Sequence, residues 1–242
     1  MKMDYADLLS PFSFYLDGIG HICSPKLKDI WNPKVTWKGF QAYLALLLMT
    51  PQTYCGQDIP MFDILRSNAP LQAAYTEMFS FFFEEKVLWN DPNQLFFTYQ
   101  KEKGNSESVP AGMIHPDNFS EVCDVILQRC GISRKDTDTD TSRVKNRRAV
   151  EILKKIQKGR RNTSAPSGQD RDLELPNLIA AVAVKSNSVN FTNIWDLTLF
   201  QLYEQFKKEQ SNVYFDIQKM SVAAYGNNKH SFKGNEWYKK EI

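Results

Sequence analysis

The chain has 242 residues and a formal net charge of only +2, too little for the whole surface to hold nucleic acid, because phosphate binding needs a concentrated positive face. Its 42% hydrophobic, 13% aromatic and 24% charged residues suit a packed core beneath a soluble surface and exclude global disorder. The apolar run from Tyr43 to Met49 falls far short of the ~20 residues of a bilayer span, and the opening Met1-Lys-Met-Asp4 has no apolar signal region, so a cytosolic protein without membrane partners is expected.

In chain order, Phe12 to Leu16 and Ile19 to Cys23 are β-prone runs around Asp17-Gly18, which predicts a hairpin with positive φ at both central positions. Lys26 to Trp31 reads as a short helix stopped at Asn32-Pro33. From Thr36, the spacing of Trp37, Phe40, Tyr43, Leu44, Leu47 and Leu48 predicts a buried helix closed at Thr50-Pro51. Further helices are expected from about Asp63 and from Pro70 to Glu85. The second carries Leu71, Tyr75, Met78, Phe79, Phe82 and Phe83, enough aromatic bulk to be buried on more than one side. Val87 to Trp89 and Gln94 to Tyr99 form a second hairpin candidate, and Val109 to Ile114 a third strand after a polar loop. A helix starting at Pro116 or Asp117 should stop at Gly131.

Between about Ser133 and Asp172 apolar residues thin out, which places a domain boundary there. Within it, Arg143 to Lys158 keeps Val144, Val150, Leu153 and Ile156 and has the pattern of a basic amphipathic helix, while Asn162 to Gln169 has the composition of a flexible linker. Leu175 to Val184 reads as an apolar helix. Thr198 to Gln201 has the form of a capping box opening a second helix with the stripe Leu199, Leu202, Tyr203 and Phe206. After Gln210-Ser-Asn212, a third helix is expected on the stripe Val213, Ile217, Met220 and Ala224, ending at Gly226. The fold class is therefore α+β and mainly α. It comprises a helical N-terminal domain with small antiparallel hairpins (residues 1–132), a charged linker (133–172) and a small C-terminal helical bundle (173–242) that packs on itself or offers a groove to a partner helix.

No enzymatic constellation emerges. His21, His115 and His230 lack metal-ligand or nucleophile–base spacing, and His21 reads as a structural strand residue. Cys23, Cys55, Cys123 and Cys130 contain no C-x-x-C pair and read as free thiols in a reducing compartment, with Cys123 and Cys130 able to face one core. No phosphate-cradling glycine pattern is present. Asp136, Asp138 and Asp140 lack the glycine and glutamate of a calcium loop, so neither a cofactor nor a metal is expected. The basic cluster around Arg147, Arg148, Lys154, Lys155, Arg160 and Arg161 could meet nucleic acid or an acidic surface, but it lacks a surrounding nucleic-acid motif. A solvated face is the simpler reading, and nucleic acid is not expected as the main partner.

Two segments together carry a resemblance. One runs from Phe14-Tyr-Leu-Asp-Gly-Ile-Gly20 through Ser24-Pro-Lys-Leu-Lys-Asp-Ile30 to the apolar Tyr43 to Leu48. The other is Asn193-Ile-Trp-Asp-Leu-Thr-Leu-Phe-Gln-Leu-Tyr-Glu-Gln-Phe206, with Asp216-Ile-Gln218 and Trp237-Tyr-Lys239. Their order resembles tail assembly chaperone-like proteins of tailed bacteriophages that infect Gram-positive hosts. The resemblance implies a non-enzymatic protein of the host cytoplasm that binds the tape-measure protein, or another tail protein, and keeps its apolar helices soluble during assembly. It assigns partner contact to Trp195, Leu199, Leu202, Tyr203 and Phe206, a stripe that reads equally as the core of the C-terminal bundle. Homo-oligomerisation is left open. The alternative is a virion structural or nucleic-acid-associated protein acting through the basic linker.

Overall fold

The computed structural model of the chain describes residues 1–56, 59–100, 110–132, 174–227 and 232–238, and it has the expected mainly helical α+β character. The polar loop after Tyr99 and the segment 133–172, including Asp136, Asp138, Asp140 and the basic cluster from Arg143 to Arg161, lie outside the described residues. The described residues fall into two compact units. The first comprises residues 1–132 with Thr198–Phe200, and the second the remainder.

In the first unit the order is α1 (Tyr5–Leu9), β1 (Phe14–Leu16), β2 (Gly20–Ile22), α2 (Leu27–Ile30), α3 (Thr36–Leu47), α4 (Pro51–Cys55), α5 (Met61–Arg66), α6 (Ala69–Phe82), β3 (Lys86–Asn90), β4 (Leu95–Tyr99), β5 (Pro110–Ile114) and α7 (Pro116–Arg129). Residues just outside the helices set their starts. The Thr50 hydroxyl accepts the Thr53 N–H at 3.2 Å ahead of Pro51, and the Asn68 side chain accepts the Leu71 N–H at 3.1 Å ahead of Pro70. In each case a side-chain oxygen satisfies a backbone donor that the first turn leaves orphaned, and proline sits where no donor is needed. Gly131 follows α7 with φ of 76°, as expected of a helix stop.

The two sheets are antiparallel. β1 pairs with β2 in the register Tyr15↔His21, and β3, β4 and β5 form an ordered meander with Trp89↔Phe96 and Phe96↔Ile114 facing each other. The first hairpin differs from expectation in its turn, since Gly18 has a positive φ of 67° and Asp17 does not. Ile19 N–H closes the turn on Leu16 O at 3.1 Å, a geometry that needs left-handed backbone only at the glycine. This hairpin is anchored to the rest of the unit by backbone bonds from Cys23 N–H to Phe82 O (2.7 Å), Glu84 N–H to His21 O (3.1 Å) and Met113 N–H to Gly18 O (3.0 Å). The buried Thr98 hydroxyl adds a bond to Ile19 O.

That approach depends on Gly112, where a Cβ would fall on the Gly18 carbonyl and the Ile19 Cα. Gly112→Ala is therefore expected to push the hairpin off the meander and destabilise the unit by about 1–3 kcal/mol. A lowered denaturation midpoint together with faster exchange of the Met113 amide would register it.

The core is aromatic. Phe62, Tyr75, Phe79, Phe96 and Phe119 come from three helices and a strand, all with at most 6% exposure, and their rings meet mainly edge-to-face. Phe79 and Phe96 lie 5.3 Å apart and Phe62 and Phe119 5.4 Å apart, arrangements that satisfy the ring quadrupoles as well as burying area. The dense aromatic set on α6 thus serves packing. Tyr43 donates from its hydroxyl to Glu77 at 2.8 Å, and burial first, then that carboxylate, push its pKa up to about 12.

Cys123 and Cys130 are both buried on α7 and its cap, Cys23 is half-buried, and Cys55 is exposed. Burial pushes the Cys130 thiol well up, which suppresses the thiolate that reacts. Alkylation of the native protein at mildly alkaline pH is expected to mark Cys55 first and to leave Cys123 and Cys130 until denaturant is added. Mass mapping of the labelled peptides reads this directly.

The second unit contains α8 (Leu175–Lys185), a 3-10 turn (Ile194–Asp196), most of α9 (Leu199–Tyr225) and a closing 3-10 turn (Glu236–Tyr238). Short polar side chains shape the loop before α9. Val189 N–H donates to the Ser186 hydroxyl (3.2 Å), Thr192 N–H to Asn190 (2.8 Å) and Trp195 Nε1 to Phe191 O (3.1 Å).

α9 corrects one expectation. Gln210-Ser-Asn212 does not break the chain into two helices, and 27 residues run unbroken from Leu199 to Tyr225. None of the three is glycine or proline, so each weakens a helix interior by less than about 1 kcal/mol. Gln205 to Glu209 (3.0 Å) and Lys207 to Glu204 (2.9 Å) support the helix from its surface. The helix ends where expected, at Gly226, whose φ is 78°.

Candidate protein-binding groove

The apolar positions of α9 are spaced as a heptad seam. Leu199, Tyr203, Phe206, Gln210, Val213, Ile217, Met220 and Ala224 alternate in steps of four and three, which keeps them on one face of a helix. Burial along this seam is uneven. Leu199 is 2% exposed and Tyr203 and Phe206 are half-buried, whereas Val213, Ile217 and Met220 are 40%, 56% and 65% exposed. The C-terminal part of α9 therefore carries a core-like pattern that is left largely exposed. Its opposite side does receive packing, since Phe232 of the tail lies 5.3 Å from Phe215.

Beside the exposed seam runs a groove of roughly 400 Å³. Ala181, Val182 and Lys185 of α8 form one wall, and Phe206, Glu209, Gln210, Val213, Tyr214 and Ile217 of α9 the other. With 11 residues α8 is about 16 Å long, against about 40 Å for α9, so it can flank less than half of the longer helix. The groove lies entirely within the second unit. Lys185 closes α8, where a cation suits the negative end of the helix dipole.

The residues assigned to partner contact are distributed unequally over this arrangement. Phe206 lines the groove. Tyr203 and Trp195 are half-buried, and Leu199 and Leu202 are buried, so the latter two pack the interior in this conformation. The exposed apolar side chains lie further along α9, at Val213, Tyr214, Ile217 and Met220. Its signal was present in the sequence as an unbroken seven-residue repeat across the polar Gln210-Ser-Asn212, and reading those residues as a helix break concealed it. The contribution of Ala181, Val182 and Lys185 comes from a separate helix and has no local signature.

His21 and His115 each lie beside a carboxylate. The buried Glu85 carboxylate accepts the His21 backbone N–H at 3.0 and 3.2 Å and lies 2.7 Å from His21 Nδ1, tying the first hairpin to the start of β3. His115 precedes α7 and lies 3.5 Å from Asp117. Among the described residues no group of three or more His, Cys, Asp or Glu side chains is placed to hold a metal ion. No helix among them is long and apolar enough to cross a membrane.

Fold and groove together define an α+β chain whose C-terminal helical unit presents an open apolar seam. Residues 165–241 match the family described as the YomV second domain, a phage-associated name, and the match spans this second unit. No curated protein and no solved structure matches the chain.

Proposed function

We propose that the chain is a non-enzymatic bacteriophage protein that captures an apolar helix of a partner in the groove of its C-terminal unit, and that the partner is the tape-measure protein or another tail protein during assembly. The observation that carries this reading is the exposed stretch Val213, Ile217 and Met220 continuing a buried seam along one wall of an open groove. An amphipathic helix laid there would bury its apolar face against two helices, the usual mode of helix-in-groove recognition. Capture and release need no chemistry, only apolar area removed from water at about 25 cal/mol per Å². The phage-associated family match and the resemblance to tail assembly chaperone-like proteins both support a phage setting in the host cytoplasm.

Co-expression tests it. With the full chain present, the tape-measure protein of the same phage should stay soluble and co-purify in a complex that survives high salt, because apolar capture does not weaken with ionic strength as phosphate binding does. A tape-measure protein that remains insoluble, with no complex formed, would overturn the proposal. A complex that dissolves steeply with salt would move attention to the basic cluster around Arg147 and Lys154.

A further inference from the structure

The rims of the exposed seam differ in charge. Glu209 and Asp216 are seven residues apart, so both lie on the same edge of α9, immediately beside the seam residues Gln210 and Ile217. Glu209 also lines the groove. It accepts one bond, from the Gln205 amide at 3.0 Å, and among the described residues neither carboxylate has an ion-pair partner. The other edge carries Lys207, Tyr214 and Ser221, and Lys207 is already paired with Glu204 at 2.9 Å. Lys219 lies on the far side of the helix from the seam, and Lys185 is the single cation lining the groove.

We infer that the occupant of the groove is a basic amphipathic helix from a different protein, about 18 residues long, with an apolar seven-residue repeat and lysine or arginine side chains two turns apart facing Glu209 and Asp216. This rests on the helix-capture reading and adds the chemistry of the client. The length follows from the span Phe206 to Ala224, about 27 Å of helix. The charge follows from the rim, because flanking positions of paired helices choose partner and direction.

A second copy of the chain fits less well. Paired antiparallel, its α9 would set Glu209 against Asp216 of the other copy, like charges at the same edge. Paired parallel, it would stack Phe206 on Phe206 and Gln210 on Gln210 and bring no cation to either carboxylate. A basic helix gains an attractive pair at both positions.

The test uses the full chain and two synthetic helices of about 18 residues with identical leucine seams, one carrying lysine and the other glutamate at the edge positions. The lysine peptide should bind about tenfold more tightly at low salt, the preference should shrink in high salt, and Glu209→Lys with Asp216→Lys should reverse it. Both positions are on the helix surface, and circular dichroism of the variant confirms that it folds. Equal binding of the two peptides would overturn the charge inference and leave helix capture standing. Binding of neither would overturn both, and self-association through the seam, seen by sedimentation and lost in Ile217→Asp, would replace the foreign helix with a second copy.

Discussion

Val213→Asp combined with Ile217→Asp is expected to weaken partner binding more than a hundredfold while leaving the stability of the free protein nearly unchanged. Each side chain is 40–56% exposed in the free protein and would be buried by a bound helix. Full burial of a valine or isoleucine contributes about 1.5–3 kcal/mol, so burying the exposed half of each contributes about 1.5–3 kcal/mol for the pair, close to the ~2.8 kcal/mol that corresponds to a hundredfold in affinity. Placing two carboxylates in an apolar contact adds a desolvation penalty. In the free protein the same positions face water, where substitutions generally change stability by no more than about 0.5 kcal/mol, and aspartate is about as acceptable as valine within a helix. Titration calorimetry with the client and thermal unfolding of the free variant measure the two halves separately. A variant that binds normally would show that the seam takes no part in binding. One that unfolds would show that the stripe is core rather than contact surface.

Arg129→Ala is expected to destabilise the first unit by about 3–5 kcal/mol, the largest stability effect of a single polar side chain here. Arg129 is 1% exposed at the end of α7. Its guanidinium donates to the Asp7 carbonyl at 3.2 Å and to the Phe12 carbonyl, while Nε has no acceptor among the described residues. Burial lowers its pKa below the ordinary arginine value. These bonds fix α1 and the approach to β1 over the C-terminal end of α7. Truncation would leave a large cavity and take the donors from two part-buried carbonyls, whose loss adds to the cavity cost. Arg129→Met refills much of the volume and should recover part of the loss, so comparing the two separates packing from hydrogen bonding. Limited proteolysis should then cut before residue 16 in the alanine variant. Equal stability of alanine variant and wild type would show that the N-terminal segment is held by other contacts.

Much of this fold can be read from local pattern, because its elements are defined by features within a few residues of each other. The Asp17-Gly18 dipeptide, the Thr50-Pro51 close of α3, the Pro116 helix start and the Gly131 and Gly226 stops each act through their own backbone preferences. The three-stranded meander was likewise visible in its alternating runs. What the pattern missed depends on context. α1 and α4 are five residues each, too short to show a periodicity, and they exist because tertiary contacts and the Thr50 cap hold them. The Gly18 turn needs one left-handed residue rather than two, a distinction that dipeptide preference does not make.

The groove shows the same division. Its α9 wall was legible as two stripes whose phases join into one seam, but polar residues at 210–212 suggested a stop because weak helix formers and true breakers look alike in composition. Periodicity does not say which part of the seam is buried, since buried Leu199 and exposed Met220 are both apolar. Length decides it, as an 11-residue helix cannot cover a 27-residue one.

Uptake of a partner helix by the exposed half of α9 is measurable by hydrogen–deuterium exchange of the full chain with and without the tape-measure protein. Slowed exchange is expected across Val213 to Ala224 and at the end of α8 near Val182 to Lys185, with the aromatic core of the first unit unchanged. Protection confined to the first unit or to residues 133–172, with α9 exchanging as in the free protein, would contradict it.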